Sequence, residues 1–397
     1  MNQGTFDRLW GELEPIGRDA TSGGYRRFAL TAEDATLREW FAGEAAARGL
    51  DLVLDRAGNQ WAWWGDPEAQ PGIAVGSHLD SVPDGGAFDG PLGVVSAFAA
   101  LDALRAKEFT PARPIGVVNF GDEEGARFGV ACAGSRLITG ALSRERALGL
   151  ADADGVTMAE ALQRAGRDTA ELGRDEDALR RVGAFVELHV EQGRGLIDLG
   201  RAVAVGAGIW PHGRWRIELP GRADHAGTTR LADRDDPMLA LAAVIVQARQ
   251  AAERHGAVAT CGKVRVLPNG VNAIPSLVTA WLDARGGERD SVTQVVAEVR
   301  AVVDEHGGSL AEESWTDATH FDSSLTHRLA ALLDDAPVLD TGAGHDAGIL
   351  AAAGVPTAML FVRNPTGVSH SPAESAERED CLAGVAALTD VVAELAR

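Results

Sequence analysis

The chain has 397 residues, a formal net charge of −21 and 45% hydrophobic residues, which together exclude several classes of protein. No apolar run approaches the roughly 20 residues that span a bilayer, and no basic segment followed by an apolar one opens the chain, so we expect neither a membrane protein nor a secreted one. Nucleic acid is disfavoured as a partner because phosphate binding needs clustered cations. Three widely spaced cysteines indicate a reducing compartment without disulfides, and we expect a cytoplasmic protein of two domains.

Apolar periodicity predicts alternating helices and strands in the first half of the chain. A hydrophobic residue every three or four positions indicates a helix, whereas a short apolar run bounded by Gly or Pro indicates a buried strand. On these criteria we predict helices over residues 5–16, 32–49 and 92–107, a hairpin over 52–64, buried strands over 72–76, 114–120 and 184–193, and a polar helical segment over 141–181.

The pattern changes at about residue 209. Trp215, Ile217 and Leu219 alternate with charged residues, which is typical of a strand with one solvated face. A helix, two strands and another helix follow, and from about residue 322 the first pattern returns with a buried strand and a closing helix. We therefore predict an α/β fold with a mixed, mainly parallel sheet flanked by helices, formed by residues 1–208 and 323–397, with a smaller α+β domain inserted over 209–322.

Metal-binding residue types recur where the predicted buried strands end. Imidazole and carboxylate are the ligands expected of zinc, manganese, cobalt or nickel, and open α/β sheets bind ligands at the carboxyl ends of their strands. Taken alone, a histidine of this kind is more often part of a core or surface, and an Asp-Glu-Glu run is more often a solvated turn. The repetition favours a metal site formed from His78 with Asp89, Glu123 with Glu124, His189 with Glu191, and His370.

Two metal ions about 3.5–4 Å apart form the usual carboxylate-bridged hydrolytic site. Asp89, in a glycine-rich loop, suits the bridge. Glu123 and Glu124 cannot point the same way on an extended chain, so one can bind metal while the other addresses a water. Asp80, two residues from His78, could accept the free imidazole N–H and fix its tautomer, although a turn-forming role is equally compatible with the sequence.

These stretches resemble the hydantoinase/carbamoylase branch of the M20 metallopeptidase family, which contains N-carbamoyl-L-amino acid hydrolases, β-ureidopropionases and allantoate amidohydrolases. The resemblance covers essentially the whole chain in the right order. It is carried by GSHLDSVP (76–83), GGAFDG (85–90), DEEG (122–125) with Arg127-Phe128, ELHVEQG (187–193), GRADHAGTT (221–229), GAGHDA (342–347) and SHSPAE (369–374).

The resemblance implies a phosphorylase/hydrolase-like catalytic domain that holds two divalent metal ions per subunit (Zn, Mn, Co or Ni). His78 and His189 would bind one ion and Glu124 and His370 the other, with Asp89 as the bridge. Glu123 would be the general base, taking a proton from the water and returning it to the leaving nitrogen. The resemblance thus implies the metal ligands His78, Asp89, Glu124, His189 and His370 and the base Glu123, with Asp80 supporting the site.

The resemblance also implies that the inserted domain makes a homodimer and acts as a lid. His225 would reach across from the partner subunit to stabilise the oxyanion, while Asn272 and Arg285 would hold the α-carboxylate of the substrate and Gln192 would touch its ureido end. Arg285 could equally be an ordinary strand-end arginine. His345, followed by Asp346, falls in a loop that resembles the substrate-lining loop of the family, where a structural turn is also compatible with the sequence.

One departure affects the substrate. After Ala226-Gly227-Thr228-Thr229 the family usually continues with Pro-Met, whereas this chain has Arg230-Leu231. The expected activity is hydrolysis of the carbamoyl C–N bond of an N-carbamoyl-L-amino acid. The alternatives are allantoate or another ureido or amide substrate, an M20 aminoacylase or peptidase, and a non-catalytic metal-binding protein on the same scaffold.

Overall fold

The structure is a computed structural model that describes residues 3–397. Its strands, in chain order, are β1 (Asp51–Leu54), β2 (Gln60–Trp64), β3 (Gly72–His78), β4 (Ile115–Phe120), β5 (Val182–Val190), β6 (Val203–Ile209), β7 (His212–Pro220), β8 (Asp224–His225), β9 (Ala257–Leu267), β10 (Ala273–Ile274), β11 (Leu277–Gly286), β12 (Ser309–Thr316), β13 (Thr319–His320), β14 (Val338–Thr341) and β15 (Thr357–Val362).

The helices alternate with these strands through most of the chain. In order they are α1 (Gln3–Leu13), α2 (Ala32–Ala47), α3 (Pro91–Ala106), α4 (Ala133–Thr139), α5 (Arg144–Gly149), α6 (Met158–Arg164), α7 (Glu176–Arg180), α8 (Gly195–Leu199), α9 (Pro237–His255), α10 (Arg289–Glu305), α11 (Ser323–Leu332), α12 (Asp346–Ala352) and α13 (Arg378–Leu395), with a short 3₁₀ turn over Leu231–Asp233. Among the described residues, no helix is both long enough and apolar enough to cross a bilayer.

The chain divides into two compact units. The first consists of the chain before Ile209 together with His320–Arg397, and the second is Ile209–Thr319. The expected junctions lay at 208/209 and 322/323.

The first unit is built on a nine-stranded mixed sheet with the strand order β1-β2-β4-β3-β5-β15-β6-β13, in which β14 also pairs with β6. Its four central strands, β4, β3, β5 and β15, run parallel, and antiparallel strands flank them on both sides. Every residue of β3, β4 and β15 is buried, because helices cover both faces of a parallel sheet. The predicted fold class, a mainly parallel mixed sheet flanked by helices, is confirmed.

The strand order brings the functional loops to one edge of this sheet. Because the four central strands are neighbours and parallel, the loops that follow them all leave from the same side. The register keeps these loops level: His78 at the end of β3 lies opposite Phe120 of β4, and Phe361 of β15 lies opposite His189 of β5. The candidate residues after each strand therefore start from adjacent positions.

The second unit is an antiparallel sheet, β12-β7-β11-β9, packed against α9 and α10. The alternation of β7 is as predicted, with Trp215, Ile217 and Leu219 buried. Strand β12, which pairs with β7, is missing from the predicted order. Its sequence, SLAEESWT, gave no signal because only one of its eight residues, Leu310, is buried.

Candidate metal centre

The first candidate metal group lies at the carboxyl ends of β3 and β5. His78 and His189 are both completely buried, and Asp89 reaches them from the loop between β3 and α3. The Oδ1 atom of Asp89 lies 3.4 Å from Nε2 of His78 and 3.1 Å from Nε2 of His189. One ligand atom from each of these three residues lies within 4.8 Å of the other two, which is close enough for them to share one ion.

The second candidate group uses the other oxygen of the same carboxylate. Oδ2 of Asp89 lies 3.5 Å from Nε2 of His370, and that imidazole nitrogen lies 3.6 Å from Oε2 of Glu124. Ligand atoms of these three residues also lie within 4.8 Å of one another. Asp89 is thus common to both groups and presents one oxygen to each.

The hydrogen bonds of the histidines leave lone pairs pointing at the carboxylate. Nδ1 of His189 lies 2.8 Å from the carbonyl oxygen of Val190, and Nδ1 of His78 lies 3.2 Å from that of Asp80, so in each ring we assign the proton to Nδ1. The Nε2 atoms then carry lone pairs. Nε2 of His189 accepts a hydrogen bond from the backbone N–H of Gly90 at 3.2 Å, whereas Nε2 of His78 is buried and makes no hydrogen bond to any described residue. Two lone pairs and a carboxylate oxygen that converge in a buried site fit a cation, which removes their mutual repulsion.

The side chains of Glu123 and Glu124, in the loop after β4, face different histidines. Oε2 of Glu123 lies 3.7 Å from Nε2 of His78, whereas Oε2 of Glu124 faces His370. The two oxygens of Asp80 accept hydrogen bonds from the backbone N–H groups of Glu123 (3.1 Å) and Glu124 (3.0 Å). The carboxylate of Asp80 is 3.5 Å from Nδ1 of His78, farther than its own carbonyl oxygen, so it holds the Glu123–Glu124 backbone more closely than the imidazole.

Burial and neighbouring charges shift the pKa values of the carboxyl groups in this site. Burial, with the charges of Asp346 and Glu124, raises the pKa of Glu123 well above its usual value. Burial and the charge of Asp89 raise the pKa of Glu124 to about 8. Although burial opposes the shift, a proton on Nε2 of His189, in place of a cation, would hold the pKa of Asp89 well below its usual range. Carboxyl groups with such divergent pKa values are typical of catalytic sites.

Two of the expected substrate-contacting residues also lie at this centre. Nε2 of Gln192 donates to Oδ2 of Asp89 at 2.8 Å, while its buried Oε1 atom has no partner among the described residues. His345 packs its ring against that of His189, with centroids 4.5 Å apart, and burial holds the pKa of His345 well below its usual value. It precedes α12, so this segment begins a helix rather than forming an isolated turn.

Three residues near the centre had no assigned role in the sequence analysis. The thiol of Cys132 donates to Oε1 of Glu123 at 3.1 Å. The hydroxyl of Ser369 lies 3.1 Å from both Oδ2 of Asp89 and Oε2 of Glu374. The SHSPAE motif contains the last two residues and could have drawn attention to them, but no spacing signal marks the cysteine.

His225 and Asn272 lie together in the second unit. β8 pairs with β10, and the backbone N–H of Ala226 donates to the carbonyl oxygen of Asn272 at 2.9 Å. Nδ1 of His225 accepts hydrogen bonds from the backbone N–H groups of Gly227 (2.9 Å) and Thr228 (3.2 Å), so we assign the ring proton to Nε2. His225 therefore presents an N–H donor from an exposed loop.

Arg285 lies in the four-stranded sheet of the same unit, near the end of β11. Strand β11 starts near β10 and reaches Arg285 eight residues later, which corresponds to roughly 26 Å of extended chain. Its guanidinium contacts both oxygens of Asp283, at 2.7 and 3.1 Å. Arg230, the departure from the usual family pattern, is exposed and pairs with Asp233 at 2.7 Å.

Comparison with known proteins gives matches over most of the chain. The sequence matches Peptidase family M20/M25/M40 over residues 74–394. It is 38% identical to the N-carbamoyl-L-amino acid amidohydrolase of Geobacillus stearothermophilus over 98% of both chains. It is 33% identical to the allantoate amidohydrolase of Escherichia coli over 97% of this chain and 96% of that protein. The crystal structure of a hydantoinase/carbamoylase family amidase from Burkholderia vietnamiensis superposes with a TM-score of 0.87 at 30% identity, over 98% of this chain and 97% of that one.

These matches span nearly the whole chain and confirm the resemblance to the hydantoinase/carbamoylase branch. The family is metal-dependent, and its relatives named above are amidohydrolases, so the chain is a hydrolase that acts on amide C–N bonds. The chain belongs to peptidase family M20/M25/M40.

Proposed function

We propose that this protein is a binuclear metal-dependent amidohydrolase that cleaves the carbamoyl C–N bond of N-carbamoyl-L-amino acids. With one water, the products are the amino acid, CO2 and ammonia. The observation that carries the proposal is the position of Asp89, whose two oxygens face separate groups of histidine and carboxylate ligands. A bridging carboxylate of this kind is the common element of two-metal hydrolytic sites.

The donor set suits two divalent cations of the zinc, manganese, cobalt or nickel type. His78 and His189 would hold one and Glu124 and His370 the other, with Asp89 between them. Bound there, two such ions supply Lewis acidity that polarises a carbonyl oxygen and lowers the pKa of a water. The neutral, Nδ1-protonated imidazoles are already oriented for this by the carbonyl oxygens behind them.

Glu123 is the proposed general base. It takes a proton from the attacking water and delivers it to the leaving nitrogen of the substrate, so it must be able to hold a proton near neutral pH. Burial favours this by raising the pKa of its carboxyl group. Asp80 fixes the backbone of Glu123, and the Cys132 thiol occupies Oε1, which leaves Oε2 directed towards His78.

Gln192 and Arg285 are the proposed contacts for the two ends of the substrate. The buried Oε1 of Gln192 would accept a hydrogen bond from the ureido NH2 group, which also satisfies an otherwise unpaired acceptor. The planar guanidinium of Arg285 could pair with the α-carboxylate in two parallel hydrogen bonds, in competition with Asp283. His345 would line the site beside His189.

The positions of His225 and Asn272 favour a homodimer. A small ureido acid cannot touch both Arg285 and this pair within one copy, because the pair adjoins β10, just before β11 begins, whereas Arg285 lies roughly 26 Å along β11. We therefore propose that His225 donates its Nε2–H to the oxyanion, and Asn272 contacts the substrate, in the site of a partner subunit. The long edge strand β9 and the exposed apolar side chains Leu239, Val246, Val258 and Val264 provide a surface for that dimer.

A cytoplasmic location is also proposed, because Cys132, Cys261 and Cys381 are all free thiols.

The decisive experiment compares the wild-type protein with Glu123→Gln. After chelation and reconstitution with Zn²⁺ or Mn²⁺, ammonia release is followed with N-carbamoyl-L-amino acids, N-carbamoyl-β-alanine, allantoate and an N-acetyl amino acid. We expect wild type to bind two ions and to prefer N-carbamoyl-L-amino acids, and Glu123→Gln to keep both ions but lose at least about 10²-fold in kcat. Glu44→Gln, a charge-neutralising control in a buried pair with Arg48, should keep wild-type activity.

Each alternative gives a different result in this experiment. Preference for allantoate would replace the proposed substrate but keep the chemistry. A wild-type protein that binds metal without hydrolysing any amide would support the non-catalytic alternative, and one that binds no divalent ion would end the proposal.

A further inference from the structure

We propose that Glu374 is a positioning residue that fixes Asp89 in the orientation in which its two carboxylate oxygens face the two candidate metal groups. The inference rests on the proposed function, because it assigns a task towards the ions that Asp89 would bridge. Glu374 is 5% exposed and is not among the candidate ligands.

The carboxylate of Glu374 binds the backbone of the loop that carries Asp89. Its Oε1 atom accepts hydrogen bonds from the backbone N–H groups of Phe88 (2.8 Å) and Asp89 (2.9 Å). A buried backbone N–H without a partner is costly, so these two bonds determine where the loop can lie. Gly86 packs directly against this carboxylate: a Cβ atom there would lie 2.4 Å from Oε1, which shows how closely the loop and Glu374 fit.

The other oxygen of Glu374 reaches the side chain of Asp89 through a hydroxyl. Oε2 lies 3.1 Å from Oγ of Ser369, which lies 3.1 Å from Oδ2 of Asp89. The hydroxyl has a single proton, so it can donate to only one of the two carboxylates at a time. Glu374 therefore constrains Asp89 through its backbone, while Ser369 places one proton between the two carboxylates.

These bonds join two loops that the sheet does not join. Asp89 follows β3, while Glu374 and His370 follow β15, and β5 lies between those strands. Residues 285 positions apart in sequence are thus fixed to each other, and each loop carries one proposed ligand of the second ion. A similar arrangement holds the other acidic loop, since Asp80 accepts the consecutive backbone N–H groups of Glu123 and Glu124.

The test measures metal binding directly, by equilibrium dialysis of the full-length protein against Zn²⁺ or Mn²⁺ with elemental analysis. Glu374→Ala should weaken binding of at least one ion by about 10–100-fold, the usual effect of removing a group that orients a ligand. Glu374→Gln should bind within about threefold of wild type, because its amide oxygen can accept both backbone N–H groups and its NH2 can donate to Ser369. Should the alanine variant fail to fold, Glu374→Asp shortens the reach by one methylene and should give an intermediate loss.

Asp175→Ala provides a matched control. Asp175 is also a buried carboxylate that accepts two backbone N–H groups, from Arg56 and Ala178, and it joins segments 119 residues apart, but it contacts no candidate ligand. Its loss should lower thermal stability without changing metal affinity. Glu374→Ala with wild-type affinity for both ions, or Glu374→Gln as weak as the alanine variant, would overturn the inference while leaving the proposed function intact. A wild-type protein without metal would overturn both.

Discussion

Gly90 offers the sharpest test of the site geometry, because a single methyl group there would strike a proposed ligand. Gly90 precedes α3 with φ = 83° and ψ = −61°. A Cβ atom at this position would lie 2.4 Å from Cε1 and 2.6 Å from Nε2 of His78. Ordinary contacts between non-bonded carbon atoms are about 3.5–4.0 Å, so the imidazole would have to move by roughly 1 Å.

That displacement is large compared with what metal coordination tolerates. Ligand distances in metal sites vary by only about 0.2 Å, so a shift of roughly 1 Å would remove Nε2 of His78 from the first metal group. Gly90→Ala should therefore weaken metal binding by at least about 100-fold and lower kcat in proportion at limiting metal. The positive φ should also reduce the free energy of unfolding by about 1–2 kcal/mol.

Gly200→Ala separates these two effects. Gly200 also has a positive φ, 64°, but a Cβ atom there would meet nothing within 4 Å. This control should lose about 1 kcal/mol of stability and keep its metal content. Metal content is measured by elemental analysis after dialysis, and unfolding by urea titration. If Gly90→Ala retained wild-type metal affinity and kcat, then His78 would not bind the ion in the orientation described.

Two further substitutions address the base and the substrate. Cys132→Ala removes the hydrogen bond to Glu123, so it should lower kcat about 2–10-fold with KM unchanged. Cys132→Ser keeps a donor and should restore the rate. Equal rates for the two variants would show that the thiol does not orient Glu123. Arg285→Lys keeps the charge but loses the bidentate geometry, so KM for an N-carbamoyl-L-amino acid should rise about tenfold. Arg214 also pairs with Asp283, and Arg214→Lys should leave KM unchanged. A rise in KM in both variants would assign the effect to Asp283 instead.

The sequence was most informative where function depends on local pattern. Short apolar runs marked the buried strands, and the histidines and carboxylates that follow them marked the loops that line one edge of the sheet. These signals are local because a strand buried on both faces must be apolar throughout, and a loop that binds a ligand must break that pattern. Strand β12 is absent from the prediction because its residues are mostly exposed and show no apolar pattern.

The finer arrangement depends on contacts between residues far apart in the chain. The sequence predicts a bond from Asp80 to His78, two residues away, but the carboxylate lies closer to the backbone N–H groups of Glu123 and Glu124. Likewise, no pattern shows that Glu374 reaches a loop 285 residues away. Hydrogen-bond partners across such separations are set by the packing of whole strands and loops.

The amino-acid sequence by itself determined the family, the fold class and the set of residues available for metal chemistry, because each depends on residue type and local order. Only the tertiary structure decided which oxygen of Asp89 faces which histidine, which imidazole nitrogen is assigned the proton, and that His225 and Arg285 lie in two different sheets of the second unit. The physical reason is that hydrogen bonding and metal coordination depend on positions to within a few tenths of an ångström, and such positions exist only once distant segments have packed together.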